Sequence, residues 1–553
     1  MTKHFRRPPL QRAEGGVIIL TLMAIGISLA AFTGLGLAEM MWQKREVQKI
    51  SDLTARQAAT QLGDGPSFAT AYGLATANGA KAGEVTIQCQ TGSGAAISCA
   101  QASRVLVTTT RTIRPLFFGS ARTITAVAQA APSPFVAGSI SSGLLSLNTQ
   151  QSLILNGIVN AIGGGKIALD AVSWQGLLLT DLKVNLLDLS TALNLAQASQ
   201  LACVNVNLGD LLNLAVSVAD GASKQTAEVV VNQLRIPLNS VQVNLGEILQ
   251  ADVANRDAAR IDLKLGDIAL GAILAGAEGR AVAVPLSING LGIDLRLYVV
   301  EPPQLIVGRK KEGAPIVAYG RTGQVKIQIN SKGLSVPVGI PGIVSARVSA
   351  LNMSTYLQVG GAQATVKDIQ CRIPRDNNIT KVNLSTSLAT LCVGAAPLRF
   401  ADDSSTPIMC NGPANILDVD LVLLFIPISL QVAANAYASA DSETRDIDLR
   451  GRAPLTTTTI WRASNGVSGL LRSIDLNLSV DASIASLRLL QPVLALLNPL
   501  VDTILAFVTT LLTPVLDTVG LLLDSVLSLL GISLNQSTLR LNTLDCSGSL
   551  LTQ

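Results

Sequence analysis

The chain of 553 residues holds a single histidine, His4, in the basic stretch at its start. Everything after it lacks the usual general base and the commonest transition-metal ligand. That excludes a Ser-His-Asp or Cys-His site there and leaves only carboxylate or lysine chemistry in principle. Aromatic residues make up only 3% of the chain. They are nowhere interleaved with the scattered cations as in a single-strand binder, so no nucleic-acid partner is expected. Charged residues are sparse at 14%, but an apolar content of 48% excludes a disordered chain. The seven cysteines include no C-x-x-C, which argues against a zinc ribbon and suits disulfides in an oxidising compartment.

Catalytic motifs are missing as well. Gly163-Gly164-Gly165-Lys166 lacks the glycine and the Ser or Thr of a phosphate loop, since Asn160 and Ile167 stand in those places. Gly290 and Gly292 lack the third glycine of a dinucleotide fingerprint. Asp481 to Ser486 misses the D-x-S-x-S metal pattern by one residue and reads as a solvated strand face. No enzyme, metal, cofactor or small-molecule substrate is therefore expected, and carboxylate catalysis has only the presence of acids behind it.

What the chain does have is an uncharged apolar run from Gly15 to Ala38, longer than the ~20 residues needed to cross a bilayer as a helix. Residues 1–14 read as a basic cytoplasmic tail and 15–38 as a transmembrane helix. The anchor residues are Val17, Ile18, Ile19, Leu20, Leu22, Leu29, Leu35 and Leu37. Lys3, Arg6, Arg7 and Arg12 precede the run, while Lys44, Arg45 and Lys49 follow it, so the positive-inside rule favours a cytoplasmic tail only weakly. A cleavable signal peptide is the competing reading. Its apolar core would be shorter, about 7–15 residues, although Gly36-Leu37-Ala38 is a usable cleavage site.

Beyond the run, Gln43 to Ala59 predicts a polar helical continuation with Val47, Ile50, Leu53 and Ala58 on one face, ended by Gly63, Gly65 and Pro66. Glu84 to Ala131 reads as three or four strands with a break at Pro115, and residues 131–134 as a linker. Cys89 and Cys99 flank a turn-like stretch and form a natural bridged hairpin. Cys371 and Cys392 flank a second strand–loop–strand pattern. These four are the disulfide candidates. The alternative is that several cysteines are buried free thiols.

From Gly138 a short unit recurs at Val184–Leu189, Val206–Leu211, Val243–Ile248 and Leu263–Ile268. Each alternates apolar and polar residues, then places Asp or Glu ahead of an apolar stretch. This predicts a strand running into a helix with the acid in its first turn, rather than a calcium array, which needs a denser D-x-D-x-D loop. Residues from about 280 to 400 are strand-like. The uncharged run Leu421 to Ala440 predicts a buried strand pair in preference to a second membrane helix. The leucine-rich stretch Leu487 to Leu530 predicts short amphipathic helices closing a core or packing on a membrane or partner, and Ser537 to Leu544 a last strand. The resulting division is a module at 39–134, a β-rich body with strand–helix units at 135–400, and a C-terminal β-rich region with leucine-rich helices at 401–553. The fold class is α+β, mainly β.

The first third resembles the Flp (Tad) pilus-assembly TadE/TadG-like family, in its TadG-like N-terminal module. The likeness rests on Arg12-Ala13-Glu14-Gly15-Gly16 opening the apolar helix and on the alanine-rich Thr54 to Thr60. It continues in the strand pattern Arg104 to Thr110, Pro115 to Gly119, and the alternating Thr123 to Ala128. The rest resembles the long Leu/Asn-rich bodies of some members and not the von Willebrand A body of others. Pilin-like relatives are cut before an apolar run with Glu five residues in. No acid stands there in Gly16 to Leu20, which favours a retained anchor. The resemblance implies a single-pass inner-membrane protein with a periplasmic, disulfide-containing body, whose partners are the membrane and other pilus-assembly or envelope proteins. The alternative is a secreted or surface-exposed adhesin-like protein released by cleavage near Ala38.

Overall fold

The computed structural model describes residues 14–62, 67–99, 102–114, 120–141, 147–249, 258–259, 261–288, 291–311, 313–332, 336–338, 345–349, 353–372, 375–397, 400, 406–423, 426–460, 467, 477–483, 510, 513–532, 534, 536–546 and 548–552. The protein is α+β and mostly β, with one long N-terminal helix, short helices and antiparallel sheets. It divides into two compact units. Unit 1 comprises 1–133, 371–374 and 546–553; unit 2 comprises 134–370 and 375–545.

In unit 1 the apolar run and its polar continuation form one helix, α1 (Glu14–Thr60). No proline interrupts it, so nothing breaks the ladder where hydropathy changes. Its second half buries Val47, Ile50, Ser51, Thr54, Ala55, Ala58 and Ala59, a stripe at the three-to-four-residue spacing of one helical face. The stripe lies on a four-stranded sheet ordered Val85–Gln90, Arg104–Ile113, Arg122–Pro132, Ser549–Thr552. A second helix, α2 (Ala69–Ala77), adds Ala71 and Ala75 to the same core. Small residues on both helices let them sit close. The buried Ser51 hydroxyl is satisfied by Thr109 Oγ1 at 2.7 Å and the Ala126 carbonyl at 3.2 Å. The stretch 131–134 is the junction at which the chain passes from unit 1 to unit 2, and it is ordered: Ser133 is buried and its N–H donates to the Gly548 carbonyl. The predicted Pro115–Gly119 break and the helix end at 63–66 lie outside the described residues.

Unit 2 opens with a strand, Phe135–Ser141, and then α3 (Thr149–Gly163), whose start is closed by a reciprocal Asn148–Gln151 capping box. Gly164 takes φ 66° just past its end and turns the chain back. The returning segment is clamped by Asn156 to Leu169 and Asn160 to Ile167, each side chain both accepting and donating. The triple glycine before Lys166 is thus a helix reversal. Helix α4 (Ala171–Leu178) follows and buries Trp174, whose indole N–H donates to Asn156 Oδ1 at 3.1 Å.

All four recurring units fold as expected, a three-residue strand entering a helix. The strands are Lys183–Asn185, Asn205–Asn207, Gln242–Asn244 and Asp262–Lys264, leading into α5 (Leu186–Ala192), α6 (Leu208–Val218) and, after α7 (Lys224–Leu238), α8 (Leu245–Ile248) and α9 (Leu265–Gly276). They associate as two antiparallel pairs, the first with the fourth and the second with the third. Each pair is closed by reciprocal bonds. Leu186 N–H reaches the Ile261 carbonyl while Leu265 reaches Leu182; Leu208 reaches Val241 while Leu245 reaches Val204. The glycine of the unit has a steric cause. A Cβ on Gly266 would sit 2.0 Å from the Leu178 carbonyl oxygen, on Gly246 2.1 Å from that of Ala202, and on Gly209 2.4 Å from that of Arg235.

The remaining strands build three larger sheets. The widest has ten strands. It runs Ala281–Ile288, Leu291–Glu301, Gln324–Lys332, Met353–Val359, Ala389–Val393, Ile426–Ala440, Ala414–Leu423, Ser345–Ser349 and Val336–Val338, with Asn477–Ser483 also on Ile426–Ala440. The uncharged run at 421–440 is therefore the end of one strand and the whole of its neighbour, as expected, but it is not buried throughout, since Gln431, Tyr437 and Ser439 are exposed. Residue 400 is no boundary, because Ala389–Val393 pairs directly with Ile426–Ala440. Two four-stranded sheets complete the unit: Ile306–Arg309, Phe135–Ser141, Gln536–Asp545, Leu455–Ile460; and Ala318–Arg321, Gln363–Gln370, Ile379–Ser385, Thr444–Arg450. Helical residues 513–529 bury Val515, Val519, Leu522, Leu523 and Val526 in the main core, which is the core-closing role expected of the leucine-rich stretch. Most of residues 487–512 lies outside the described ones.

Candidate functional site

The feature that sets this chain apart is α1. One 18-residue window of it has a mean hydropathy of 2.0, and only 6% of that window is buried. Ile19, Leu20, Leu22, Leu29, Leu35 and Leu37 are each more than half exposed. Val17 and Ile18 are in the helix, but their side chains lie outside what is described. A helix rises 1.5 Å per residue, so Gly15–Ala38 reaches about 36 Å, against a hydrocarbon core of about 30 Å. Met41 and Trp42 follow, also exposed, at 56% and 60%. Lys44, Arg45 and Lys49 come next, all exposed. From Val47 onward the same helix is core. The burial pattern of one continuous element thus changes from almost none to one-sided over about two turns.

The cysteines form three bridges: Cys89–Cys99, Cys371–Cys546 and Cys392–Cys410, with Cys203 free and exposed. Cys89 and Cys99 pair as the hairpin reading has it. Cys371 and Cys392 are both oxidised but not to each other. Cys371 follows Gln363–Gln370 in one sheet and Cys392 lies within Ala389–Val393 in another, so their short separation in sequence is not proximity. Cys410 and Cys546 were outside the sequence-derived candidates. The signal for Cys546 is its place directly after the last long strand, which returns the chain to unit 1.

The acids of the recurring units, Asp188, Asp210, Glu247 and Asp267, all fall in first helical turns. Asp210 pairs with Arg235 at 3.1 Å. Burial pushes the Asp267 carboxyl up, against the opposing pull of Ser139, Lys264 and Arg540. Among the described residues no three His, Cys, Asp or Glu side chains gather as a metal-ligand set. Among the described residues, Glu278 lies near Glu247, Glu301 and Arg321. Burial, then Glu247 and Glu301, push the Glu278 carboxyl up, and Arg321 donates to Glu301.

Among the described residues, two open clefts bear on the site. One of about 580 Å³ lies between α4 and the start of α7, lined by Gln175, Leu179, Thr180, Leu182, Ser223 and Thr226. The other, of about 370 Å³, lies along α1 and is lined by Arg45, Gln48, Lys49, Asp52, Leu53, Arg56 and Leu551. No protein-family model, curated protein or solved structure matches the chain.

Proposed function

We propose that this is a membrane-anchored structural or accessory protein of a bacterial Flp/Tad-type pilus assembly system, and not an enzyme. α1 crosses the inner membrane once, the body stands in the periplasm, and the protein acts by binding other assembly or envelope proteins. The observation that carries the anchored reading is the two-part burial of α1. Its exposed apolar half has the length and composition of a span, while its second half is core to unit 1. Three disulfides suit an oxidising compartment. The pilus assignment rests on the order of segments from Arg12 to Ala128 and their likeness to the TadG-like module.

The test is cell fractionation with mass spectrometry of the native N-terminus. A full-length chain in the inner membrane, digested by protease only in spheroplasts, is the expected result. A chain starting near Glu39 in the periplasm, outer membrane or medium would overturn the anchor and favour the secreted, adhesin-like alternative. Co-purification with pilus-assembly components from crosslinked cells tests the system. Their absence from a crosslinked, membrane-resident protein would remove the pilus assignment and leave the anchor.

A further inference from the structure

Resting on the anchored reading, we infer that the cleft along α1 in unit 1 binds the phosphodiester headgroup of an anionic phospholipid in the bilayer the helix crosses. Arg45, Lys49, Asp52 and Arg56 follow one another at spacings of four, three and four residues, which places them on one face of the helix. Together with Gln48, Leu53 and Leu551 they line the cleft. The three cations are exposed, and none has a hydrogen-bond or ion-pair partner among the described residues. The other polar groups are already used. Gln48 spends its amide protons on Asp52 at 2.8 Å and on the Val127 carbonyl at 3.1 Å. The free donors lining the cleft are therefore cationic, and the one carboxylate there, Asp52, accepts from Gln48.

Height along the helix selects the occupant. Trp42 follows the apolar half and is exposed, as an interfacial anchor should be. The polar layer beyond the hydrocarbon core is about 5–8 Å deep on each side. At 1.5 Å per residue, Arg45 stands about 5 Å and Lys49 about 10 Å above Trp42, while Arg56 stands about 20 Å above it. The first two are within reach of a headgroup phosphate, and the third is more than a Debye length from it. Lys44 is at the same height as Arg45 but does not line the cleft, so it separates a built site from diffuse surface charge.

The experiment titrates full-length protein in neutral detergent with phosphatidylglycerol or phosphatidylcholine and counts bound lipid by native mass spectrometry. Phosphatidylglycerol is expected to be retained in preference. Each of Arg45→Gln and Lys49→Gln should weaken it by about fivefold, and the double variant by about twentyfold. Lys44→Gln should stay within about twofold of wild type, as expected for a cation off the cleft. Asp52→Asn should tighten binding, a change that misfolding does not mimic. Equal retention of both lipids, an equal loss with Lys44→Gln, no response to Asp52→Asn, or displacement by inorganic phosphate alone would each overturn the site. Carbonate extraction of cell membranes reads the anchor separately. A protein released by carbonate that keeps its lipid preference loses only the anchored reading. A protein that resists extraction but binds both lipids alike loses only the site.

Discussion

Glu84 and Arg111 show how unit 1 handles charge. Their side chains are only 14% and 18% exposed, and they meet at 3.1 Å. Burial opposes the charge on Glu84, but the Lys81 backbone N–H and the Arg111 guanidinium outweigh it and hold the carboxyl below its ordinary 4.5. A depressed carboxyl contributes stability that is complete above the unfolded value and lost as pH falls through the folded one. Glu84→Gln should therefore cost about 1–2 kcal/mol at pH 7 and nothing once the wild-type carboxyl is protonated. Hydrogen exchange of peptides from 84–113 at neutral and acid pH reads the difference. Asp267 has the opposite sign. Its folded value is raised, so its favourable contribution is complete below 3.8 and lost as pH rises through the folded value. Asp267→Asn should be more stable than wild type at pH 7, with the gap closing in acid, measured as the shift in urea midpoint. A midpoint lower than wild type at pH 7 would mean that the acid's place in the first turn of α9 outweighs its burial.

At the scale of elements, the recurring unit and α1 are the two designs to test. In the unit, alternation is legible in sequence because a strand must present Val184, Val206, Val243 or Leu263 to one side. The acid is legible because a first helical turn favours it. What sequence does not carry is the partner of each unit. The pairing of first with fourth and second with third comes from reciprocal backbone bonds, to which every residue type contributes alike. The glycine is the trace that the pairing leaves, because a backbone carbonyl occupies the space of its Cβ. Gly266→Ala should cost about 1–3 kcal/mol or more from overpacking, read as a lowered urea midpoint. Leu187→Ala in the first unit should be mild, since leucine already stands where the other units have glycine. In α1, Ile50 is 1% exposed against the sheet. Ile50→Ala should cost about 2–5 kcal/mol. It should loosen exchange in 84–130 while leaving carbonate resistance of the full chain unchanged, because the exposed half takes no part in that core.

For the whole molecule, the chain enters unit 1, leaves it at 133, and returns at 371–374 and again at 546. The Cys371–Cys546 bridge closes a separation of 175 residues between the two returns, whereas Cys89–Cys99 closes 10. On chain-entropy grounds the long closure contributes about 5 kcal/mol and the short one about 3. Replacing Cys371 and Cys546 with serine should therefore destabilise more than replacing Cys89 and Cys99. It should also loosen hydrogen exchange in the strand Ser549–Thr552 first, because that strand is then held only by noncovalent contacts, its pairing with Arg122–Pro132 and its packing along α1. Equal losses from the two replacements would show that chain closure does not govern this unit.

The sequence by itself determined the long apolar helix, its amphipathic continuation, the α+β class, the strand-into-helix units and the Cys89–Cys99 hairpin. Each of these is written in spacing along the chain or in neighbours a few residues apart, where hydropathy period and turn chemistry act directly. Only the tertiary structure decided the partners of Cys371 and Cys392, the pairing of the recurring units and the return of the last strand to the first sheet. It also decided the cleft that brings Leu551 beside Arg45 and Lys49. Those features join residues far apart in sequence through backbone hydrogen bonds and sheet order, and neither leaves a residue-specific signature at both ends.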